Sequence, residues 1–388
     1  MSEQKSLWKK ELSFARKPKQ AKQPKEAKPK RVKVRGLKDA GGATKLVGLK
    51  IGASQLAAAT VSNNGSAELL QVARTDLEPG VVVGGELRDP EKLAAALRDF
   101  FRKHDLPRRN VRLGVANNRI GVRTFEIAGV DDPEQLDNAV RFRAQDELPI
   151  PIDDAVLDYH VLSETKDSAG QSLKRILLVV AYRDLVDRYV GACRKAGIEL
   201  TGIDLEAFAL LRAMAAPGDA TAGAALVVVA VGHDRSTFAV SDGRACEFAR
   251  VLEWGGNSLN VALARALNVT PSETEQLKRT LDLADVADTA NTAAREAIRV
   301  QIESFARQLV SSLQFYQNQP GSLSIGEVVL TGGTAHMRGL AEELQRLIGV
   351  TVRVGDPLMR VRVGKKAVAD TERQVGSLAI AIGLGIED

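Results

Sequence analysis

The chain has 388 residues, 44% of them hydrophobic, and a formal net charge of +5. A chain of this length can bury two hydrophobic cores, and no stretch approaches the roughly 20 apolar residues of a membrane-spanning helix. The first residues lack the apolar segment of a secretory signal and only Cys193 and Cys246 are present, which indicates a cytoplasmic protein without a disulfide framework. The four histidines share no ligand spacing with one another or with cysteine, so no metal site is predicted.

The positive charge is concentrated in a basic tail, residues 1–44. Residues 1–40 hold 14 Lys or Arg and four Asp or Glu, a net charge of +10, which leaves −5 for the rest of the chain. An acidic body argues against nucleic-acid binding. Within the tail, Ser6–Lys17 has the apolar spacing of a short amphipathic helix, and the Pro- and Lys-rich segment Lys17–Lys38 is typical of disorder.

The body begins with a first domain, predicted over residues 45–220. Three β-type runs predict a hairpin meander, followed by a helix with 3.6-residue periodicity and a buried strand. A second set of strands and helices follows within about residues 122–202 and predicts an inserted subdomain. In chain order the predicted elements are Lys45–Ile51, Leu56–Ser62, Leu69–Thr75, the helix Pro90–Arg102, Val111–Ala116, Arg123–Ile127, the helix Pro133–Asp146, Val156–Leu162, Arg175–Ala181 and the helix Asp184–Lys195.

A Gly-, Ala- and Pro-rich stretch at 217–221 marks the start of a second domain, predicted over residues 221–370. The strand meander recurs there, and a C-terminal helix within 371–388 is expected to return to the first domain. Two halves that begin alike predict a duplicated α/β fold with a cleft between the halves. The predicted elements are the strands Ala225–Val231, Thr237–Ser241 and Ala245–Val251, the helices Ser258–Leu267, Ser272–Leu281 and Ala293–Gln319, the strand Glu327–Thr331 and a helix from about Met337 to Ile348.

Glycine turns follow three of the predicted strands, at Gly48–Ser54, Gly232–Ser236 and Gly332–Thr334, and a glycine pair follows Trp254. A single glycine turn after a strand is ordinary turn chemistry. In this order, however, the turns resemble the two phosphate motifs and the adenosine motif of the superfamily that contains actin, Hsp70 and sugar kinases. The resemblance implies a cleft that binds ATP or ADP.

Within that superfamily the chain resembles the PilM family of type IV pilus assembly proteins, relatives of the cell-division protein FtsA. The resemblance covers about residues 45–388, and its marks are VGLKIGAS at 47–54, ELPIPIDDAVLDYHV at 147–161, AGIELTGIDLEAFALLRA at 196–213, SETEQLKR at 272–279, SSLQFYQNQ at 311–319 and VLTGGTAHMRGL at 329–340. It implies a duplicated actin-like (ribonuclease H-like) two-domain fold with an inserted subdomain of the FtsA/PilM type. The nucleotide-binding residues that it implies are Gly48, Lys50, Gly52, Ala53, Ser54, Gly232, Ser236, Gly255, Gly256, Glu275, Lys278, Gly332, Gly333 and Thr334. For Glu275 and Lys278, one helical turn apart, an ordinary surface ion pair is the alternative.

The sequence departs from the superfamily pattern at the positions that manage Mg²⁺. Lys50 and Ala230 stand where the superfamily carries acidic residues, and Ala57 stands for a lysine. A lysine about 4 Å from a divalent ion is repelled by roughly 8 kcal/mol at an effective dielectric of 20. The sequence therefore predicts a degenerate site with little hydrolysis and argues against Mg²⁺. Two roles remain open for Lys50: direct pairing with a phosphate in place of the metal, or exposure to solvent in an abandoned cleft.

The resemblance also implies a partner. In PilM proteins the inserted subdomain receives the N-terminal cytoplasmic peptide of the inner-membrane protein PilN, and Leu148, Pro149, Ile150 and Pro151 are the residues expected to contribute here. The two prolines fix an extended backbone, so a plain structural connector is the alternative.

The resemblance implies an adaptor that links a PilN-like protein to the pilus motor ATPase, at the inner face of the cell membrane. The basic residues 1–40 are expected to bind an anionic membrane surface or another acidic partner. An active actin-like ATPase, an FtsA-like filament-forming protein and a sugar kinase remain alternatives; the last needs a catalytic carboxylate that the sequence does not reveal.

Overall fold

The computed structural model describes residues 44–147, 151–166, 170–215, 223–285, 287–365, 367–371 and 375–387. The predicted helix Ser6–Lys17 and the rest of residues 1–43 lie outside the described residues. The first half of the chain alternates strands with amphipathic helices. Its first helix, for example, starts after Asp89, whose carboxylate accepts a hydrogen bond from the backbone N–H of Lys92 at 3.0 Å. The elements are β1 (Thr44–Ile51), β2 (Gln55–Asn64), β3 (Ser66–Asp76), β4 (Val82–Val83), β5 (Glu86–Leu87), α1 (Pro90–Lys103), β6 (Val111–Val115), β7 (Ile120–Ala128), α2 (Pro133–Glu147), β8 (Ala155–Lys166), β9 (Ser172–Tyr182), α3 (Arg183–Lys195), β10 (Leu200–Leu205) and α4 (Glu206–Met214).

The second half repeats the pattern of a strand meander followed by helices. Its longest helix buries one stripe of side chains that includes Ile298, Ile302, Phe305 and Leu309. The elements are β11 (Ala224–Val231), β12 (Ser236–Ser241), β13 (Cys246–Leu252), α5 (Gly256–Leu267), α6 (Glu275–Thr280), α7 (Thr292–Gln317), β14 (Ser324–Thr331), α8 (Leu340–Ile348), β15 (Val352–Val354), β16 (Arg362–Val363), α9 (Val368–Thr371) and α10 (Ala379–Gly385).

The two main sheets share a five-strand topology, to which the first sheet adds β16. The first has the order β10-β6-β1-β2-β3-β16 and the second the order β13-β12-β11-β14-β15. In each, an antiparallel meander is extended by two parallel strands beside its first strand. The fold is therefore duplicated, as predicted, and the carboxyl ends of the parallel strands in both sheets face a shared cleft.

Helices α4 and α10 form the floor between the two sheets. Helix α4 follows the first sheet but packs against β11, β12 and β13, whereas α10 follows the second sheet and packs against β1, β2 and β6. The two helices also pack against each other. Because each domain sends one helix to the other, the domains are joined by an extensive apolar contact rather than by a simple linker.

The inserted subdomain is smaller than the predicted range 122–202. Its antiparallel sheet, of order β7-β9-β8, is covered by α2 and has its own core around Leu136, Val140 and Ile176. Helix α3 instead buries Tyr189 and Cys193 in the core of the first domain, and β10 pairs with β6. Local periodicity predicts α3 correctly as an element but does not show which sheet covers it.

The end of the chain re-enters the first domain earlier than residue 371. Strand β16 pairs in parallel with β3 at the edge of the first sheet, with Arg362 opposite Glu68 and Val363 opposite Leu69. A two-residue strand leaves no periodic signal in the sequence.

Candidate functional site

A cavity of about 780 Å³ lies between the two domains. Turns from both sheets line it, together with the start of α4 and one face of α6. Of the predicted nucleotide-binding residues, those that line the cavity are Lys50, Gly52, Ala53, Ser54, Gly232, Gly256, Glu275, Lys278, Gly332, Gly333 and Thr334.

The turns after β1 and β11 are structural equivalents. The N–H of Gly52 donates to the carbonyl of Gln55 at 2.9 Å, and the N–H of Gly232 donates to the carbonyl of Arg235 at 2.9 Å. A Cβ atom would lie 3.0 Å from the first acceptor and 2.7 Å from the second. Glycine therefore lets each turn close tightly at the edge of the cavity, which is the geometry that a backbone approach to phosphate groups needs.

The third turn crosses the end of β11. Gly332 has φ +96°, and a Cβ atom on it would lie 2.3 Å from the carbonyl oxygen of Val231. Thr334 then packs against Gly256, where a Cβ atom would lie 2.4 Å from the Thr334 hydroxyl. In both contacts a glycine lets two segments of the cavity lining pack closely against each other.

Lys50 forms an ion pair that the sequence did not predict. Its Nζ lies 3.6 Å from Oε2 of Glu206, the first residue of α4, and the Thr237 hydroxyl donates to the same oxygen at 3.3 Å. Glu206 is only 7% exposed. Neither role predicted for Lys50, a phosphate ligand or a solvent-exposed residue, included this partner.

The strand register explains how Lys50 reaches Glu206. Lys50 is level with Gly114 of β6, and Gly114 is level with Asp204 of β10. Strand β6 lies between β1 and β10, and Glu206 follows the end of β10. Because Gly114 of β6 has no side chain, the side chains of Lys50 and Glu206 can meet across it. Glu206 was missed as a site residue, although its place directly after a parallel strand was the available signal.

Glu275 and Lys278 face the cavity as a hydrogen-bonded pair. Lys278 Nζ lies 2.7 Å from Oε2 of Glu275 and 3.4 Å from the carbonyl oxygen of Gly256, and the Asn260 amide donates to Glu275 at 2.9 Å. Burial alone would raise the pKa of Glu275, but hydrogen bonds from Lys278 and Asn260 and the charge of Lys278 lower it from 4.5 to about 2. Lys278 is 8% exposed, so the pair is not an ordinary surface pair.

Three predicted residues do not line the cavity. Gly48 is buried under α10, where a Cβ atom would lie 2.0 Å from the carbonyl oxygen of Ala381. The Ser236 hydroxyl is buried and donates to the carbonyl of Trp254 at 2.7 Å. Gly255 packs against His233, whose carbonyl oxygen would lie 2.5 Å from an added Cβ. These three residues pack behind the cavity wall and do not face the cavity. The motif pattern alone does not distinguish such residues from those that line it.

Of the predicted peptide-binding residues, Leu148, Pro149 and Ile150 lie outside the described residues. Pro151 is exposed and extended, with φ −58° and ψ 138°, and precedes a short 3₁₀ helix.

Over the described ranges, no group of three or more His, Cys, Asp or Glu residues is placed to hold a metal ion. Within the same ranges, no helix combines the length and the apolar character needed to span a membrane. Trp254 stacks on Phe305 with ring centroids 4.1 Å apart, as a packing residue does.

The duplicated sheets, the exchanged helices and the interdomain cleft define an actin-like protein. The chain belongs to the family of type IV pilus assembly protein PilM, whose model matches residues 48–388. The predicted family and the predicted actin-like two-domain fold are thus confirmed.

Solved structures share this fold. The structure described as the PilM-PilN type IV pilus biogenesis complex is 25% identical, with a TM-score of 0.73, and covers 88% of this chain and 97% of that one. The ethanolamine utilization protein EutJ from Carboxydothermus hydrogenoformans shares the fold at 15% identity, with a TM-score of 0.53 and 92% of each chain covered. MreB 5 of Spiroplasma citri, solved with AMPPNP, shares it at 11% identity, with a TM-score of 0.50 and with 87% of this chain and 94% of that one covered.

The cell division protein FtsA of Escherichia coli K12 is 24% identical over an alignment of 211 residues, gaps included, that covers 47% of this chain and 49% of FtsA. The chain therefore spans about half the length of the curated relatives it matches.

Proposed function

We propose that the protein is an adaptor in type IV pilus assembly that binds the N-terminal cytoplasmic peptide of a PilN-like inner-membrane protein. The observation that carries the proposal is the likeness, over 88% of this chain, to the structure of the PilM-PilN complex. In this role the protein is cytoplasmic, peripheral to the membrane, and couples its partner to the pilus motor ATPase.

The inserted subdomain is the proposed peptide site. Helix α2 and one face of its sheet form a hydrophobic core distinct from that of the first domain. The outer side of α2 is therefore a surface of the subdomain itself. On that surface Phe142 of α2 is 70% exposed, an unusual position for a large aromatic side chain. Buried aromatic side chains often anchor protein interfaces, which makes Phe142 and Pro151 the described residues best suited to contact a peptide.

Co-purification with the PilN-like partner tests the peptide site. Deletion of the subdomain, and separately Phe142→Ser, are expected to abolish or strongly weaken co-purification. Phe315→Ser is the matched control, because Phe315 is 56% exposed but lies on α7 of the second domain. Retention of the partner by the deletion variant, provided that its second domain remains folded, contradicts the proposal.

The cleft is proposed to bind ATP or ADP with little hydrolysis. The tight glycine turns support backbone contacts to phosphates, while Lys50 and Ala230 leave no carboxylate at the two positions expected to manage Mg²⁺. Lys50 can supply the compensating positive charge that the metal provides elsewhere. Calorimetric titration with ATP, in Mg²⁺ and in EDTA, tests this part: the expected affinity is similar in both buffers.

One observation favours an active ATPase as the second candidate. Glu206 places a carboxylate at the floor of the cavity, and a carboxylate there can orient a water molecule for attack on a phosphate. The ion pair with Lys50 opposes that role, because it ties up one of the two carboxylate oxygens. Steady-state turnover of the wild-type protein separates the two candidates.

A further inference from the structure

The turn between β11 and β12 reaches out of the second domain and bonds to two loops of the first. Oδ2 of Asp234 accepts a hydrogen bond from the backbone N–H of Gly84 at 2.8 Å. Nη2 of Arg235 donates to the carbonyl oxygen of Ala116 at 3.0 Å. Two adjacent residues of the second domain therefore hold two separate loops of the first domain.

The first domain is shaped to receive the Arg235 guanidinium. Gly85 is buried at φ +66°, and a Cβ atom on it would lie 1.8 Å from Arg235 Nη2. The Gly85 carbonyl is held from behind by the Asn117 amide at 3.0 Å and by the Tyr189 hydroxyl at 3.1 Å. The receiving loop is therefore anchored in the first-domain core.

The guanidinium is only partly satisfied by protein groups in this position. Nε and Nη1 of Arg235 are buried and have no hydrogen-bond partner among the described residues. A cavity of about 20 Å³ beside Arg235 is lined also by Glu206 and Tyr189, and it has room for one water molecule. Incomplete satisfaction limits the free energy gained on closure, which is what a reversible contact requires.

The same turn belongs to the wall of the main cavity. The N–H of Gly232 donates to the carbonyl of Arg235, so the residues that cross between the domains also close the turn that is proposed to meet phosphates. A displacement of Asp234 and Arg235 therefore changes the shape of the cavity wall.

The first-domain loop that contains Ala116 and Asn117 continues directly into the inserted subdomain. The Asn117 side-chain oxygen accepts from the N–H of Arg119 at 2.8 Å, and β7 begins at the next residue. Arg119 makes two hydrogen bonds to the Asp184 carboxylate, at 3.1 and 2.6 Å, and its guanidinium lies 4.1 Å from the centre of the Tyr182 ring. These contacts fix the base of the subdomain, where β7 begins and β9 ends.

We propose that Asp234 and Arg235 form an interdomain latch, which holds the cleft closed and joins the turn at the cavity wall to the loops at the base of the inserted subdomain. Opening the latch releases the turn at the cavity wall and the base of the subdomain together. The latch has a closed and an open state. The turn at the cavity wall and the base of the subdomain therefore both respond to the equilibrium between these two states. This inference concerns the free protein and needs neither a nucleotide nor a peptide.

Hydrogen exchange of the full-length protein, without ligands, tests the latch. In Asp234→Ala and in Arg235→Ala, amide exchange is expected to be about tenfold faster in residues 82–88 and 116–121, because each variant loses one charge-assisted bond. Asp234→Asn keeps an acceptor oxygen and is expected to restore much of the protection. The matched control is Asp242→Ala, since the hydrogen bonds of the Asp242 side chain among the described residues lie within its own turn, to the N–H groups of Arg244 and Ala245.

The distribution of the change decides the outcome. Faster exchange in both segments, with β1 and β2 unchanged, supports the latch. Wild-type exchange rates in both segments of both alanine variants overturn it. A uniform increase across all strands also overturns it, because Asp234 and Arg235 would then support overall stability rather than a local closure.

Discussion

Lys50 Nζ lies 3.6 Å from Glu206 Oε2 at the floor of the interdomain cavity. The pair sets a cation of the first domain against a carboxylate of the helix that packs on the second sheet. The positive charge of Lys50 offsets the negative charge of the buried Glu206 carboxylate at the edge of the cavity.

Lys50→Asp should change the metal requirement of ATP binding. Without Lys50, phosphate groups lose their cation and meet the introduced carboxylate together with that of Glu206, so binding in EDTA should weaken about tenfold or more. Two carboxylates can then hold Mg²⁺, and added Mg²⁺ should recover much of the affinity. Calorimetry in EDTA and in Mg²⁺ measures both effects, with Lys103→Asp, on the exposed end of α1, as the control.

Two results contradict this assignment of Lys50. One is wild-type ATP binding that is lost in EDTA, since the metal would then be needed despite Lys50. The other is the absence of ATP binding by both proteins, which indicates an abandoned cleft.

ATP turnover by the wild-type protein should fall well below the ordinary enzyme range of about 1 per second or more. Glu206 is paired with Lys50 and accepts a hydrogen bond from Thr237, so it is poorly placed to activate water. Phosphate release at saturating ATP and Mg²⁺ provides the measurement, and Glu206→Gln identifies contaminating activity. Rapid turnover that disappears in Glu206→Gln would establish the active ATPase instead.

Acidification should expose the contribution of Glu275 to stability. The pKa of Glu275 is about 2 in the folded protein against an ordinary value of 4.5. As the pH falls, Glu275 therefore takes up a proton in the unfolded chain before it does so in the folded protein. The stabilisation is present above about pH 4.5 and is lost between pH 4.5 and 2. Glu275→Gln should flatten this part of the pH profile of the unfolding free energy.

Urea unfolding at a series of pH values measures the profile. Glu134→Gln is the control, because Glu134 is an exposed residue at the start of α2. An unchanged acid limb in Glu275→Gln would show that the hydrogen bonds from Lys278 and Asn260 do not hold the carboxylate in its charged form.

Sequence patterns predicted the amphipathic and meander elements well, because their periodicity is local. Strands β1 to β3 and helices α1 and α7 fall within a few residues of their predicted bounds. Helix α10 was predicted only as a C-terminal helix within 371–388, without an amphipathic pattern, because all of its residues are buried between two layers and its composition is apolar throughout. Helix α8 was predicted from about Met337 but begins at Leu340, after Gly339 at φ +82°.

The cavity was predictable as a set of glycine turns but not as a set of contacts. Gly52 and Gly232 close turns at its edge, whereas Gly48 lies under α10 and does not line the cavity. The Lys50–Glu206 pair depends on the register of three strands that are distant in the sequence. Such pairing requires the assembled sheet, and for that reason the partner of Lys50 was absent from the prediction.

The basic tail should bind anionic membranes in a salt-dependent manner. Residues 1–40 carry a net charge of +10, and each basic residue near an anionic bilayer contributes about 1 kcal/mol at moderate ionic strength. Leu7, Trp8 and Phe14 are available for shallow insertion. Flotation of the full-length protein with vesicles rich in anionic lipid should succeed at low salt and fail at high salt, since counterions screen the attraction.

A chain that begins at residue 41 is the control for flotation, because the remaining residues carry a net charge of −5. It should stay with the unbound fraction at every salt concentration. A Leu7→Ser, Trp8→Ser double variant separates the two contributions: retained binding at low salt indicates charge alone, and a marked loss indicates insertion. If the full-length protein does not float at low salt, the tail does not bind lipid, and its charge is then available for an acidic protein partner.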